Sequence, residues 1–180
     1  MRLKKTRLDA RFYSLLFLVG ILTFLVHEFS HWIMGTSLGH EMLASPNRVW
    51  SKGPISPTHG MLVSAAGPAI TIVQGLIGFW LVRSRASLVG FAMLYMAFFS
   101  RLLAAAVSVL NPNDEARISA QLGIGTWTLP ILVVAGLFAL VYLASRHLKL
   151  SLRQQFFCYV TASIAVTLVV GADYLFVNRA

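Results

Sequence analysis

Five long apolar stretches, separated by short segments rich in basic residues, proline and glycine, make up most of this chain. A helix needs about 20 predominantly apolar residues to cross roughly 30 Å of hydrocarbon. By this criterion the pattern predicts membrane-spanning helices over residues 12–34, 61–82, 88–110, 124–144 and 156–177. The predicted fold class is therefore all-α: a polytopic membrane helix bundle with about five transmembrane helices, forming one domain over residues 1–180.

The composition agrees with a location in the lipid bilayer. Hydrophobic residues make up 57% of the chain, charged residues only 12%, and the mean hydropathy is +0.74, whereas soluble domains are about one quarter charged. The net charge of +9 does not indicate nucleic-acid binding, because Lys and Arg collect at the ends of the apolar stretches. Cys158 is the single cysteine, which excludes an internal disulfide and a cysteine-based zinc site.

The distribution of basic residues predicts an orientation. If all five stretches cross the bilayer, most Lys and Arg residues fall on one side, which the positive-inside rule assigns to the cytoplasm. These residues are Arg2, Lys4, Lys5, Arg7, Arg11, Arg83, Arg85, Arg146, Lys149 and Arg153, against Arg48, Lys52 and Arg117 on the other side. The N-terminus is therefore predicted to be cytoplasmic and the C-terminus external.

Residues 35–60 form the one long connection, and their glycines and prolines argue against a continuous helix. Within this linker, residues 48–50 are predicted to form a short extended segment. A disordered polar loop is one interpretation of the rest of this linker.

The first apolar stretch contains the sequence His27-Glu28-Phe29-Ser30-His31. On a helix, residues four apart lie on one face, so the imidazoles of His27 and His31 can converge on one metal ion, while Glu28 can reach a water molecule beside it. With 5 His in the chain and its three Glu, the expected number of chance matches to this HExxH pattern is roughly 0.002. Ionisable groups inside a bilayer are costly and usually line a site. A purely structural metal site remains the alternative interpretation.

A catalytic zinc ion takes three protein ligands and keeps one position open. The candidates for the third ligand are His40, Glu41, His59, Asp114, Glu115, Asp173 and His147. Asp114 is favoured because it follows the third span on the same outer side as the histidine pair, and Pro112 with Asn113 can begin a new helix there. Glu115, Glu41 and Asp173 remain alternatives.

These residues resemble the site-2 protease family of intramembrane zinc metalloproteases. That family pairs HExxH in one transmembrane helix with an Asp near the end of another, as His27, Glu28, His31 and Asp114 do here, and it often carries an intervening Gly-Pro, similar to Gly67-Pro68. The resemblance implies one Zn²⁺ per chain held by the two histidines and Asp114. It also implies Glu28 as the catalytic base and a membrane-anchored protein as the substrate. A further implication is a hairpin over residues 39–57, embedded in the membrane after the first helix, which pairs with the unwound substrate; the disordered polar loop remains the alternative.

Two further expectations concern the partner of Arg101 and a rival function for the chain. Arg101, inside the third span, needs a partner, and a structural ion pair with Asp173 is favoured over a role beside the metal. The rival function is a non-catalytic helical membrane protein, a regulator or a transporter, in which the histidine pair binds a metal without cleaving peptides.

Overall fold

The computed structural model describes residues 6–177, apart from the side chains of residues 176 and 177. Six helices and one hairpin follow in the order α1 Ala10–Ser37, β1 Met42–Ser45, β2 Arg48–Ser51, α2 Pro57–Arg85, α3 Leu88–Val107, α4 Asp114–Gln121, α5 Thr128–Leu148 and α6 Leu152–Val177. The all-α prediction is confirmed. The basic residues Arg2, Lys4 and Lys5 and the C-terminal residues 178–180 lie outside the described part of the chain.

Five of these helices, α1, α2, α3, α5 and α6, are long and apolar enough to cross a membrane. Their outward faces carry large exposed apolar side chains, among them Leu22, Phe29, Leu76, Leu132 and Ile164. In water such a surface would be unstable, whereas lipid tails solvate it. The chain is therefore a multi-pass membrane protein, as its pattern predicts.

Local capping chemistry sets several helix ends. Ser56 accepts a hydrogen bond from the backbone N–H of His59, and Pro57 occupies the first position of α2, where its missing N–H has no cost. The linker between α1 and α2 is shorter than predicted, because α1 extends to Ser37 and α2 begins at Pro57. The apolar pattern gives no sign of α4, whose eight residues are too polar and too few to resemble a span, but the helix begins after Asn113, where the sequence analysis allows a new helix.

Helix α3 lies at the centre of the bundle, with Phe91, Leu94 and Met96 fully buried. It packs closely on α2 where two glycines meet: a Cβ on Gly78 would lie 2.5 Å from the carbonyl oxygen of Gly90. Gln74 of α2 donates to Thr23 Oγ1 at 2.9 Å and to the Met93 carbonyl at 3.0 Å. Helices α1, α2 and α3 thus form the frame of the site, held by close packing and by polar bonds between helices.

The two ends of the bundle differ. At one end the Arg83 Nη1 lies 3.1 Å from His147 Nδ1, joining the ends of α2 and α5, and Gln154 donates to the Thr6 carbonyl near the start of α1. At the other end, Gln121 of α4 donates to the Pro57 carbonyl at the start of α2. The described basic residues of the predicted cytoplasmic set gather at the first end, and the hairpin and α4 lie at the second.

The linker between α1 and α2 contains the predicted hairpin. Strand β1 pairs antiparallel with β2, with Met42 opposite Ser51 and Ser45 opposite Arg48, so the extended segment at residues 48–50 is confirmed. The Trp32 indole N–H donates to the Met42 carbonyl at 3.2 Å. This bond fixes the base of the hairpin against the last turns of α1.

Candidate metal centre

Two histidines of α1 and one aspartate of α4 converge at the hairpin end of the bundle. His27 Nε2 and His31 Nε2 lie 3.1 Å apart, and Asp114 Oδ2 lies 3.2 Å from the first and 3.3 Å from the second. All three residues are buried, with exposures of 5%, 7% and 4%. The structure thus brings together the three residues that the sequence analysis favours as metal ligands.

Hydrogen bonds on the far side of each imidazole fix which nitrogen carries the proton. His31 Nδ1 lies 2.5 Å from the Val63 carbonyl, which can only accept, so this nitrogen donates. His27 Nδ1 lies 3.1 Å from Thr71 Oγ1, whose own hydrogen is donated to the Gly67 carbonyl. Both neutral rings are therefore assigned their proton on Nδ1, which leaves both Nε2 lone pairs facing the centre.

Two lone pairs and a carboxylate oxygen directed at one point repel one another unless a cation lies between them. A tetrahedral zinc ion with ligand bonds of about 2.0–2.1 Å separates its ligand atoms by about 3.3 Å. The separations of 3.1 to 3.3 Å among His27, His31 and Asp114 match the edges of that tetrahedron. The donor set, two imidazoles and one carboxylate, is also one that zinc prefers.

The backbone and a neighbouring arginine orient Asp114. Asn113 caps α4, and Asp114 opens its first turn, where a negative charge is favoured by the helix dipole. Arg117, one turn on, donates to Asp114 Oδ1 at 2.5 Å, so Oδ2 alone faces the histidines.

Helix α2 approaches this centre at a glycine. A Cβ on Gly67 would lie 2.5 Å from Cε1 of His27 and 2.6 Å from Nε2 of the same ring, and it would also overlap His31. Any larger residue would have to displace the imidazoles. Gly67, which belongs to the predicted Gly-Pro element, therefore makes room for the centre by its lack of a side chain.

Glu28 lies beside the centre and keeps its carboxylate free. It is half-buried, and it makes no hydrogen bond or ion pair with any described residue. The same side chain borders two spaces, an interior cavity and a lipid-facing groove lined by Phe29, Trp32 and Ser45. A carboxylate without a partner at such a junction can take up a proton from a molecule that enters the cavity.

The interior cavity has a volume of about 610 Å³ and contains the whole centre. Its walls include polar groups that can hold water, such as Ser64, Asn111 and Asn113, and the apolar side chains of Val166 and Val170 from α6. The hairpin closes one side through Val49 and its neighbours. A cavity of this size with polar groups in its walls has room for water and a small ligand beside the centre.

The other candidate ligands lie elsewhere. Glu115 faces Arg101, whose Nη1 lies 3.2 Å from its Oε1, and exposed Glu41 pairs with Lys52. His40 of the linker and His59 in the first turn of α2 bond to each other, with His40 Nε2 at 2.9 Å from His59 Nδ1. His147, beside Arg83, is at the opposite end of the bundle.

The predicted ion pair between Arg101 and Asp173 is wrong. Arg101 pairs with Glu115, whereas Asp173 accepts hydrogen bonds from Ser45 Oγ and from Arg48 Nε, the latter at 3.0 Å. The position of a residue along its span does not reveal which helix faces meet. The buried Asp173 instead fixes the turn of the hairpin to α6, and it takes no part in the metal centre.

Sequence reasoning missed the residues that support the ligands. Thr71 lies four residues after Gly67 on the same face of α2, which is a signal that a helical wheel can detect once Gly67 is placed at the centre. Arg117 lies three residues after Asp114 on α4, and an i,i+3 ion pair is a standard expectation for a short helix. The Val63 carbonyl has no sequence signal, because every residue carries one.

Comparisons of this chain with protein-family models, with curated proteins and with solved structures return no match.

Proposed function

We propose that this chain is an intramembrane zinc metalloprotease of the site-2 protease type, which hydrolyses peptide bonds of membrane-anchored proteins within or beside the bilayer. The observation that carries the proposal is the convergence of three acceptor atoms from His27, His31 and Asp114 within 3.3 Å of one another, next to the unpaired carboxylate of Glu28. This combination of a three-ligand metal centre and a free base is what metal-assisted hydrolysis requires.

Each residue of the centre has a separate role in the proposed hydrolysis. Zinc, when bound to His27, His31 and Asp114, supplies the Lewis acidity that polarises a carbonyl and activates water. Glu28 accepts the proton of the attacking water and passes it to the departing amide nitrogen. Thr71 and the Val63 carbonyl hold the imidazoles in the orientation in which both Nε2 atoms can bind the metal.

Hydrolysis within a bilayer also needs water and an accessible peptide bond. The cavity supplies a protein-lined aqueous space, because polar side chains such as Ser64 and Asn113 border it. A substrate helix must unwind before its carbonyl can enter. Strand β2 pairs only with β1 in the described part of the chain, so its outer edge can hydrogen-bond an extended substrate as an added strand.

The orientation follows from the charges. The proposal places the basic end of the bundle, with Arg83 and Arg153, in the cytoplasm. The centre at the opposite end then lies in the outer half of the membrane, with a short path to the external water. The partners are accordingly the lipid bilayer and a membrane-anchored protein, with no nucleic acid.

The proposal is tested with purified chain in liposomes. The substrate is a single-span reporter that has a Gly-Pro interruption in its outer half and an epitope tag at each end. We expect the wild type to cleave this reporter, and Glu28→Gln to lower the rate by a factor of about 10²–10⁴ while zinc content and thermal stability stay unchanged. A chelator should stop the reaction, and added zinc should restore it.

A metal-binding regulator or transporter would behave differently. The buried three-ligand cluster by itself fits such a protein equally well, and the free carboxylate of Glu28 is the feature that favours the protease. In the non-catalytic case the wild type binds zinc without cutting the reporter, and Glu28→Gln leaves the biological activity unchanged. Either result would overturn the proposed proteolysis.

A further inference from the structure

Arg101 is a buried cation next to the candidate metal centre. It lies in α3 with an exposure of only 5%, inside a helix long and apolar enough to span the bilayer. Its Nη1 donates to both carboxylate oxygens of Glu115, at 3.2 and 3.4 Å. This ion pair balances the charge of Arg101, yet it leaves most of the guanidinium donors unexplained.

The pairing is not the one that a purely structural arginine prefers. A structural pair usually joins two guanidinium nitrogens to two carboxylate oxygens, whereas Glu115 is bound here through Nη1 alone. The Nε of Arg101 is buried, and it has no hydrogen-bond partner among residues 6–177. A buried donor without an acceptor is rare in proteins and calls for a physical explanation.

Arg101 lies close to the candidate metal ligands. Its Nη1 lies 4.0 Å from Asp114 Oδ2, the oxygen that faces both histidines. Arg101 also lines the cavity that contains His27 and Glu28. Its Nη2 makes no hydrogen bond with a described residue and, unlike Nε, is not fully buried, so this donor borders the space in which a peptide bond would lie during attack by water.

We propose that Arg101 is a further catalytic residue, which donates a hydrogen bond to the scissile carbonyl oxygen as negative charge develops on it. This inference rests on the proposed proteolysis. When water bonds to the carbonyl carbon, the π electron pair moves to the oxygen and Glu28 takes the water proton. When that pair re-forms the carbonyl, the C–N bond breaks and Glu28 protonates the amine, while Arg101 keeps all its protons.

An arginine suits this role because its charge and donors are fixed before the reaction begins. A preorganised donor in a site with little water stabilises a developing anion without reorganisation. Glu115 neutralises the charge of Arg101 in the resting site, so the ion pair adds no net charge next to a divalent metal. Once an oxyanion forms, the free edge of the guanidinium can bind it without breaking the bond to Glu115.

The first test compares Arg101→Gln with the double variant Arg101→Gln/Glu115→Gln, which leaves no buried charge unpaired. We expect both to keep one zinc per chain, with kcat for the reporter reduced roughly 10²–10³-fold and KM changed less than about threefold. Arg101→Lys should recover part of the lost rate. Zinc loss from the double variant, or a kcat equal to that of the wild type, would overturn the proposal.

The second test does not depend on turnover. The probe is a capped leucine pseudo-dipeptide in which a phosphinate replaces the peptide bond, and the matched Leu-Leu amide is the control. In zinc-loaded Glu28→Gln protein, adding Arg101→Gln should weaken phosphinate binding by a factor of about 10² or more and leave amide binding unchanged. Equal weakening of both ligands would assign Arg101 a structural role only.

The two tests separate the inference from the function on which it rests. If the wild type does not cleave the reporter but binds the phosphinate through Arg101, the proposed proteolysis is wrong and the proposed anion-binding role of Arg101 is supported. If the wild type cleaves and Arg101→Gln neither slows cleavage nor weakens the phosphinate, the role of Arg101 fails and the proteolysis stands.

Discussion

Arg48 Nε and Asp173 Oδ2 lie 3.0 Å apart, which joins the turn of the hairpin to α6 across 125 positions of the chain. The same carboxylate accepts hydrogen bonds from Ser45 Oγ and from the Asn47 N–H. Asp173 is buried, whereas Arg48 is exposed. A buried carboxylate with three donors from one turn holds that turn firmly, and the hairpin that it holds forms one wall of the cavity.

Loss of this contact should loosen the hairpin. In a variant whose native Cys158 is replaced by alanine, a cysteine placed at Asn47 reports the exposure of the turn. We expect Asp173→Ala to increase its rate of maleimide labelling about tenfold or more, because unpairing a buried charged hydrogen bond costs roughly 1.5–3 kcal/mol.

The matched control for the hairpin is Glu41→Gln, which removes the exposed pair with Lys52 near the base of the hairpin. Solvated pairs of this kind contribute little, so labelling should not change. Equal labelling of the Asp173→Ala variant and its parent would show that the contact does not restrain the turn.

The third metal ligand can be identified by replacing each of two adjacent acidic residues separately. Asp114→Ala removes the oxygen that faces both histidines, and we expect zinc content to fall from one per chain to less than about 0.1. Glu115→Gln leaves that oxygen in place, so zinc should remain. Elemental analysis of both purified variants decides the matter. Zinc retained in the first variant and lost in the second would assign the ligand to Glu115.

The close approach of α2 predicts the effect of a single methyl group. Gly67→Ala places a carbon within 2.6 Å of His27 Nε2, so we expect loss of stoichiometric zinc and a lower melting temperature. Gly136→Ala is the control, because a Cβ there has no neighbour within 4 Å, and alanine in a helix should be neutral or stabilising by up to about 1 kcal/mol. Zinc content and thermal melts of both variants, measured in detergent, give the comparison. Normal zinc binding by Gly67→Ala would contradict the described packing.

Arg117 should raise the metal affinity of the centre without being a ligand itself. It donates to Asp114 Oδ1, and loss of such an outer partner typically lowers metal affinity by a factor of about 10–100. Competition with a zinc chelator should show this decrease for Arg117→Ala. The zinc affinity of Arg117→Lys, which keeps the positive charge, should lie between those of the wild type and Arg117→Ala. An affinity equal to that of the wild type would mean that Asp114 is oriented by the helix alone.

The sequence predicted the parts of this molecule that depend on local order. Helical spacing places His27 and His31 on one face, and the glycines and prolines of residues 35–60 argue against a continuous helix there. What the sequence could not supply is the rotation of one helix against another. That rotation decides that Thr71 meets His27, and that Arg101 meets Glu115 and not Asp173.

Whether His27, His31 and Asp114 hold one zinc ion can be measured by X-ray absorption at the zinc edge on the wild-type chain in liposomes. We expect a four-coordinate zinc with two imidazole ligands and only nitrogen and oxygen donors at about 2.0–2.1 Å. The scattering from both imidazoles should disappear in a His27→Ala/His31→Ala variant. A wild-type spectrum without imidazole scattering, or a spectrum that is unchanged in the variant, would show that the histidine pair does not bind the zinc.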